Sequence, residues 1–419
     1  MSDLPIALRP ENSVRLIVDG AEYSGWKAVR ISAGIERVAR DFDLEVTDKW
    51  PGQTDIPRRI RPGDACQVFI GSDLVMTGYV DATPIRYDGK SVTVGVRGRS
   101  KTADLVDCCP PNSGETIAVQ SSWGDVIGKD GKTGTRIAAP SKTANVWRNQ
   151  KMEVIAAALA APYKVTVIAE VDTGKVIATH QVQVGETVFE SIDRMMRIRH
   201  VLSTDNEYGD LVFIEVGSSG NAATALELGQ NILTGDTPLD YKGVFSEYIV
   251  KGQRPGSNAQ YGHATNEEEG TSTEDDEDAT DEEMRGMTGT GKSNDSRATR
   301  RRVLVIKQSG CADEGTVQDR ADYERAHRAA KALQTSYRVV GWRQADGQLW
   351  KSNTLVRVRD PLIGFNVDML IAEVCYSASK EGLVADLRVG PPDGYRTKAG
   401  ILKRSQRLKG GGPEWSDVK

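Results

Sequence analysis

The chain has 419 residues, a net charge of −5 and a negative mean hydropathy, which leaves room for between about two and four domains. Its longest apolar stretch, around Val154 to Ala161, is short and alanine-rich, well below the roughly 18 apolar residues of a membrane span. The N-terminus, Met1-Ser2-Asp3-Leu4-Pro5, has neither the basic nor the apolar region of a secretory signal, so membrane insertion and export are not expected.

Cysteines 66, 108, 109, 311 and 375 fit no disulfide framework and no zinc spacing. Histidines 180, 200, 263 and 327 include no pair at helical ligand spacing. No metal, no cofactor and no histidine-based catalysis is expected.

The first hundred residues read as β-structure. Alternating runs recur at Val14 to Val18, Ala28 to Ile31, Phe42 to Val46, Cys66 to Ile70, Leu74 to Val80 and Ser91 to Val96. Asp19-Gly20, Gly71-Ser72-Asp73 and Asp88-Gly89 separate them with hairpin chemistry. Short strands at this spacing predict a small barrel over residues 1–107.

Pro110-Pro111 marks a boundary, and residues 108–218 read as an α+β middle domain. A helix is predicted over Met152 to Ala161, ended by Pro162, then strands over Tyr163 to Val171 and Lys175 to Val184. Thr187 and Glu190 form a capping box ahead of a helix whose apolar positions are Val188, Ile192 and Met195. That helix is expected to run to about His200, followed by a hairpin of Val201 to Ser203 with Leu211 to Val216.

Residues 219–395 are expected to form a second β-barrel domain. Phe245 to Lys251 and Arg302 to Ile306 alternate as strands. Residues 254–298 hold a dense acidic block, from Glu267 to Glu283, and almost no apolar side chains. Such a segment buries too little surface to offset its ordering entropy, which predicts a mobile loop. A helix from Gln318 to about Thr335 is expected with Thr316 as its cap. Tyr337 to Trp342 is expected to pair with Gln348 to Lys351 across Asp346-Gly347. Leu355 to Val358, Met369 to Ala378 and Leu383 to Val389 complete the domain. Residues 396–419 form a basic, glycine-rich tail. The fold expected is mainly β with α+β parts: two small β-barrel domains flanking an α+β middle domain. The last three strands of each β-domain echo one another in pattern, without sequence identity.

One motif invites a catalytic reading. Gly286-Met287-Thr288-Gly289-Thr290-Gly291-Lys292-Ser293 matches the phosphate-cradling P-loop pattern. That chemistry needs a buried strand before the loop and a helix after it. Asp281-Glu282-Glu283 precedes it instead, and those carboxylates repel a nucleotide, so nucleotide binding is rejected. The acidic block fails the calcium-loop frame, because Asp281 stands where glycine is needed if Asp276 is taken as position one. No nucleophile–histidine arrangement declares itself.

Leu74-Val75-Met76-Thr77-Gly78-Tyr79-Val80-Asp81, followed by the segment from Val96 to Asp107, resembles the baseplate hub family of Mu-like contractile-tail phages. Arg199-His200-Val201-Leu202, Leu211-Val212-Phe213, Phe245 to Gly252, Gly341-Trp342 and Asp346 to Trp350 follow that family's order and spacing. The resemblance spans roughly residues 14 to 395 and excludes the acidic loop and the tail. It implies a non-enzymatic virion protein, a homotrimer with two similar barrels per chain and hence a pseudo-sixfold ring. Its implied partners are a tail tube or tube-initiator protein above, a trimeric spike below and baseplate wedge proteins around, with DNA only in transit. Assembly is expected in the host bacterial cytoplasm. The alternatives are a tail-associated peptidoglycan hydrolase and a receptor-binding tail protein.

The family motifs supply structural or interface candidates: Gly78, Tyr79, Asp81, Gly98, Arg99, Lys101, Asp104, Asp107, Tyr248, Trp342 and Trp350. Gly78 and Gly98 interrupt strands, which predicts bulges or close backbone approach. Arg99, Lys101, Asp104 and Asp107 read either as subunit salt bridges or as an exposed charged connection.

Overall fold

The structure is a computed structural model and describes residues 9–48, 60–87, 92–110, 124–127, 133–140, 144–199, 201–253, 288–311, 314–379 and 382–396. Residues 254–287 of the loop expected at 254–298, His200 and residues 397–419 of the tail expected at 396–419 lie outside the described residues.

Alternation builds the first strands. In β1 (Val14–Val18), Val14, Leu16 and Val18 are buried while Arg15 and Ile17 are less so. The turn at Asp19-Gly20, with φ of 49° and 77°, returns the chain into β2 (Ala21–Tyr23). β3 (Ala28–Gly34), β4 (Asp41–Asp48), β5 (Ala65–Ile70), β6 (Asp73–Ala82), β7 (Ile85–Tyr87) and β8 (Val92–Ser100) follow. They pair antiparallel in the order β3-β4-β8-β6-β5-β1-β2, and β7 extends the line of β6 along β8. A short helix, α1 (Ala103–Asp107), closes this part.

The middle segment holds β9 (Gly124–Ile127), β10 (Thr133–Ile137), β11 (Val146–Gln150), α2 (Met152–Ala160), β12 (Val167–Ala169), β13 (Ile177–Gln181), α3 (Val188–Arg199), β14 (Leu202–Asp205) and β15 (Leu211–Ile214). Five strands form a sheet in the order β14-β15-β12-β10-β9, with β12 and β15 parallel. α2 and α3 pack on it through Ile155, Leu159, Val188, Ile192 and Phe213. The capping box is present: the Thr187 N–H donates to Glu190 Oε2 at 2.8 Å and the Glu190 N–H to Thr187 Oγ1 at 3.2 Å. Pro162 does not end α2 abruptly; it lies in a 3-10 turn, Ala161–Tyr163, that prolongs the helix.

β16 (Leu226–Glu227) and β17 (Ile232–Asp236) lead out of this part. β18 (Glu247–Gln253), β19 (Thr288–Asn294), β20 (Val303–Cys311) and α4 (Glu314–Lys331) come next. β21 (Thr335–Val340), β22 (Leu355–Asp360), β23 (Phe365–Ser379) and β24 (Gly382–Gly390) complete the chain's strands. β17, β21, β24, β23, β22 and β16 pair in that order. Strand for strand, they repeat β3, β4, β8, β6, β5 and β1, both along the chain and across the sheet. One pair departs: β16 and β22 are parallel where β1 and β5 are antiparallel.

Registers agree as well. β6 slips against β8 between Val80 and Ala82, and β23 slips against β24 between Ile371 and Glu373. Beyond the slip, Ala82 faces Arg97 and Glu373 faces Arg388. The faint echo in the sequence is thus a repeated six-strand unit. The two repeats join edge to edge, β3 pairing antiparallel with β23, so that among the described residues they share one 14-stranded sheet.

Four expectations are corrected. The domain expected at 219–395 is interrupted: described residues 238–334 and 391–396 form one compact unit, and those of 9–237 and 335–390 form another. Among the described residues the strands of the smaller unit, β19-β18-β20, pair only with each other, and Val317 and Ala321 of α4 pack on Val250. Residues 288–294, expected within the loop, are a strand, and α4 begins at Glu314, so Thr316 lies inside it. Finally, β21 pairs with β17 and β24 rather than with residues 348–351. Residues 348–350 instead meet the chain just beyond β21: Arg343 and Leu349 form a bridge, and the Trp350 N–H donates to the Trp342 carbonyl at 3.1 Å.

Candidate assembly site

Gly78 and Gly98 lie where backbones meet. A Cβ on Gly78 would run into the Arg99 carbonyl oxygen. One on Gly98 would meet the Tyr79 carbonyl and stand 2.6 Å from the Phe42 ring. Both glycines are required by close approach of neighbouring strands. At the equivalent place in the second repeat, Thr335 faces Val389 where Phe42 faces Gly98.

Arg99 joins three elements. Its Nε donates to Asp81 Oδ2 on β6 at 2.7 Å, and its Nη2 to Asp107 Oδ2 at the end of α1 at 2.6 Å. The guanidinium holds the Asp107 carboxyl below its usual range. Partial burial and the nearby Asp107 charge push Asp104 up. Burial, with Asp104 second, raises Tyr79. The structure therefore brings Asp81, Arg99, Asp104 and Asp107 together, and the ion pairs close within one chain. Lys101 has no ion-pair partner among the described residues; its N–H donates to the Thr77 carbonyl at 3.3 Å. Asp81 belongs to this cluster although 18 residues separate it from Arg99.

A second polar node had no signal in the sequence. The Arg40 N–H and Nε donate to the Asp205 carboxylate at 3.0 and 3.1 Å. Its Nη1 reaches the Val75 carbonyl at 2.8 Å and its Nη2 the Asp205 carbonyl at 3.0 Å. Burial pushes the Asp205 carboxyl up, and the Arg40 guanidinium opposes that shift. The node ties β14 to the first repeat.

The aromatic candidates are core residues. Trp342 Nε1 donates to the Ser377 and Val384 carbonyls at 3.2 and 3.0 Å, and its ring meets Tyr376 edge-on at 6.1 Å. Trp350 is buried, and its carbonyl accepts from the Tyr376 hydroxyl. In the smaller unit, the Tyr248 hydroxyl accepts from the Phe245 N–H at 3.0 Å and burial raises its pKa.

Residues 288–293 of the P-loop look-alike belong to strand β19. Gly289, Gly291, Lys292 and Ser293 face Gly252, Val250, Ile249 and Tyr248 in an antiparallel ladder. Gly291 lets α4 approach, since a Cβ there would stand 2.6 Å from the Gln318 nitrogen. Ser293 Oγ donates to Asp322 at 2.7 Å and accepts from Arg325 Nε at 2.9 Å. Its backbone amides face a strand, not a phosphate cradle. No group of three or more metal-ligating side chains occurs among the described residues, and no described helix is long and apolar enough to cross a membrane.

A doubled strand unit whose charged residues pair within the chain points to a structural part of a larger assembly, and the comparisons place that class among phage baseplate proteins. Residues 13–100 match the N-terminal domain of Mu phage baseplate assembly protein GpP-like, and residues 314–398 the fourth domain of GpP. Residues 137–215 match the second domain of baseplate hub protein gp44-like. Over 389 residues the chain is 32% identical to baseplate hub protein gp44 of Escherichia phage Mu, covering 92% of this chain and 89% of that protein. The chain belongs to this family of Mu-type baseplate hub proteins. The crystal structure of the 43 kDa tail protein of prophage MuSo2 from Shewanella oneidensis matches with a TM-score of 0.70 and 28% identity, over 92% of this chain and 99% of that one. The tail protein from Neisseria meningitidis MC58 shares the fold, with a TM-score of 0.65 at 19% identity over 92% and 98% of the two chains.

Proposed function

We propose that this chain is the structural hub of a contractile-tail baseplate, a homotrimer whose ring joins the tail tube above to a trimeric spike below. The observation that carries this reading is the repeated six-strand unit, in a chain 32% identical to a baseplate hub protein over most of its length. Two repeats per chain, taken three times, make a pseudo-sixfold ring that matches a sixfold tube to a threefold spike. Baseplate wedge proteins surround it, DNA only passes through it, and assembly takes place in the host bacterial cytoplasm before the virion is released. The role is read as structural: among the candidates, Asp81, Arg99 and Asp107 pair with one another across β6, β8 and α1.

Electron microscopy of the purified chain tests the reading. Threefold rings that capture the spike protein are expected, together with no clearing in a cell-wall zymogram. A chain that stays monomeric at high concentration and fails to retain the spike would overturn it.

A further inference from the structure

Two strand edges of the repeated unit are without a further strand among the described residues, and both carry exposed apolar side chains. Among the described residues β7 pairs only with β8, and Ile85 and Tyr87 are 53% and 81% exposed. β17 pairs with β21 along one side, and Leu233 is 52% exposed. Unpaired edges with apolar side chains are templates for another strand.

The molecule contains the template for what covers them. β7 holds the place in the first repeat that the end of β23 holds in the second. Tyr87 and Arg86 face Val92 and Thr93, as Ala378 and Ser377 face Leu383 and Val384. β17 holds the place of β3: Gly235 and Asp236 face Tyr337 and Ser336, as Val29 and Arg30 face Leu44 and Asp43. Within the chain, β23 and β3 are already paired, Ala378 with Val29 and Ser377 with Arg30. The equivalent pair, β7 with β17, is not formed within the chain.

We infer that β7 of one copy pairs antiparallel with β17 of the next, Tyr87 opposite Gly235 and Arg86 opposite Asp236, so that the sheet runs on from chain to chain. This rests on the hub reading above and specifies its subunit contact. The chemistry of the two edges fits. The proposed contact puts a guanidinium opposite a carboxylate, and neither Arg86 nor Asp236 has an ion-pair partner among the described residues. Tyr87, bulky and exposed, meets the residue without a side chain; Val29 and Ala378 likewise combine a larger and a smaller residue. Pro84 and Pro238 donate no N–H and limit the ladder to a few pairs. The contact is head-to-tail, and such contacts close into rings when the rotation allows.

Charge reversal tests the pairing. In sedimentation, Arg86→Asp and Asp236→Arg are each expected to weaken self-association by about tenfold or more, because like charges then face each other. The double variant is expected to restore it. In a separate chain, Arg86→Cys with Asp236→Cys should form disulfide-linked oligomers on oxidation, above the background of the unaltered chain and of each single variant. If the unaltered chain forms threefold rings but the double reversal restores nothing and the cysteines do not link, the pairing is wrong while the hub reading stands. A chain that is monomeric at every concentration overturns both.

Discussion

At equivalent places the first repeat sets Phe42 opposite Gly98, and the second sets Thr335 opposite Val389. The first fills the space with one aromatic ring and needs glycine to admit it; the second divides the same space between two middle-sized side chains. Elsewhere the balance reverses. The second repeat is sealed by Trp342, Trp350, Tyr337 and Tyr376, all buried, whereas the buried core of the first is mostly aliphatic, with Leu16, Ile31, Leu44, Ile70 and Met76. Strand order and register are therefore shared while side-chain packing is not. A sheet is defined by backbone hydrogen bonds, which many core solutions can accompany.

Breaking the aromatic seal of the second repeat is expected to have the largest effect. Trp342→Ala removes a fully buried ring and two hydrogen bonds, and should cost about 3–5 kcal/mol in chemical denaturation. A loss below about 1 kcal/mol would show that the ring does not anchor the repeat.

The Phe42–Gly98 pair sharpens the comparison. Gly98→Val should destabilise by about 3 kcal/mol, the upper range for overpacking, because a carbonyl and a ring both stand in the way. Adding Phe42→Thr imports the second repeat's pair and should recover the share due to the ring, though not the share due to the Tyr79 carbonyl. Strictly additive effects in the double-mutant cycle would mean that the two positions do not share one volume.

A smaller effect follows from pH. Burial lowers the pKa of His180, whose Nε2 lies 2.8 Å from Ser191 Oγ, below its ordinary 6.5. Because the unfolded chain then takes up the proton first, stability is whole above about pH 6.5 and declines as the pH falls below it. His327, in the smaller unit, is lowered in the same direction, chiefly by burial. Unfolding midpoints measured between pH 7.5 and 5 should therefore fall, and His180→Gln should flatten part of the slope. An unchanged slope in that variant would remove His180 from the account.

The smallest expected effect concerns Arg99. Its bridges to Asp81 and Asp107 are more than a third exposed, so Arg99→Gln should cost below about 1 kcal/mol and less still at high salt. A cost of several kcal/mol in the monomer would mark the cluster as a structural clamp.

Much of this was legible in the residue order. Alternation located β1, β3, β4, β5, β6 and β8 to within a few residues, and the Thr187–Glu190 box marked the start of α3, because side-chain period and capping are local properties. The hub family was legible from ordered motifs. The candidate residues were legible as important positions but not in their roles: Trp342 and Trp350 proved to be core, and Arg99 found Asp81 on a neighbouring strand. Gly291 matched a phosphate-loop pattern that its context rejected, and it was read as part of a loop rather than a strand, because nothing local reveals that α4 will press against it.

By itself, the sequence determined most strands of the first repeat and their turns, the Thr187–Glu190 cap and the kind of protein this is. Only the tertiary structure decided which strands are neighbours: that Val29 pairs with Ala378, that Arg40 grips Asp205, and that residues 238–334 form a unit of their own. The physical reason is that the backbone groups which pair in a sheet are the same in every residue. Their partners are chosen by packing over long chain separations rather than by any local pattern.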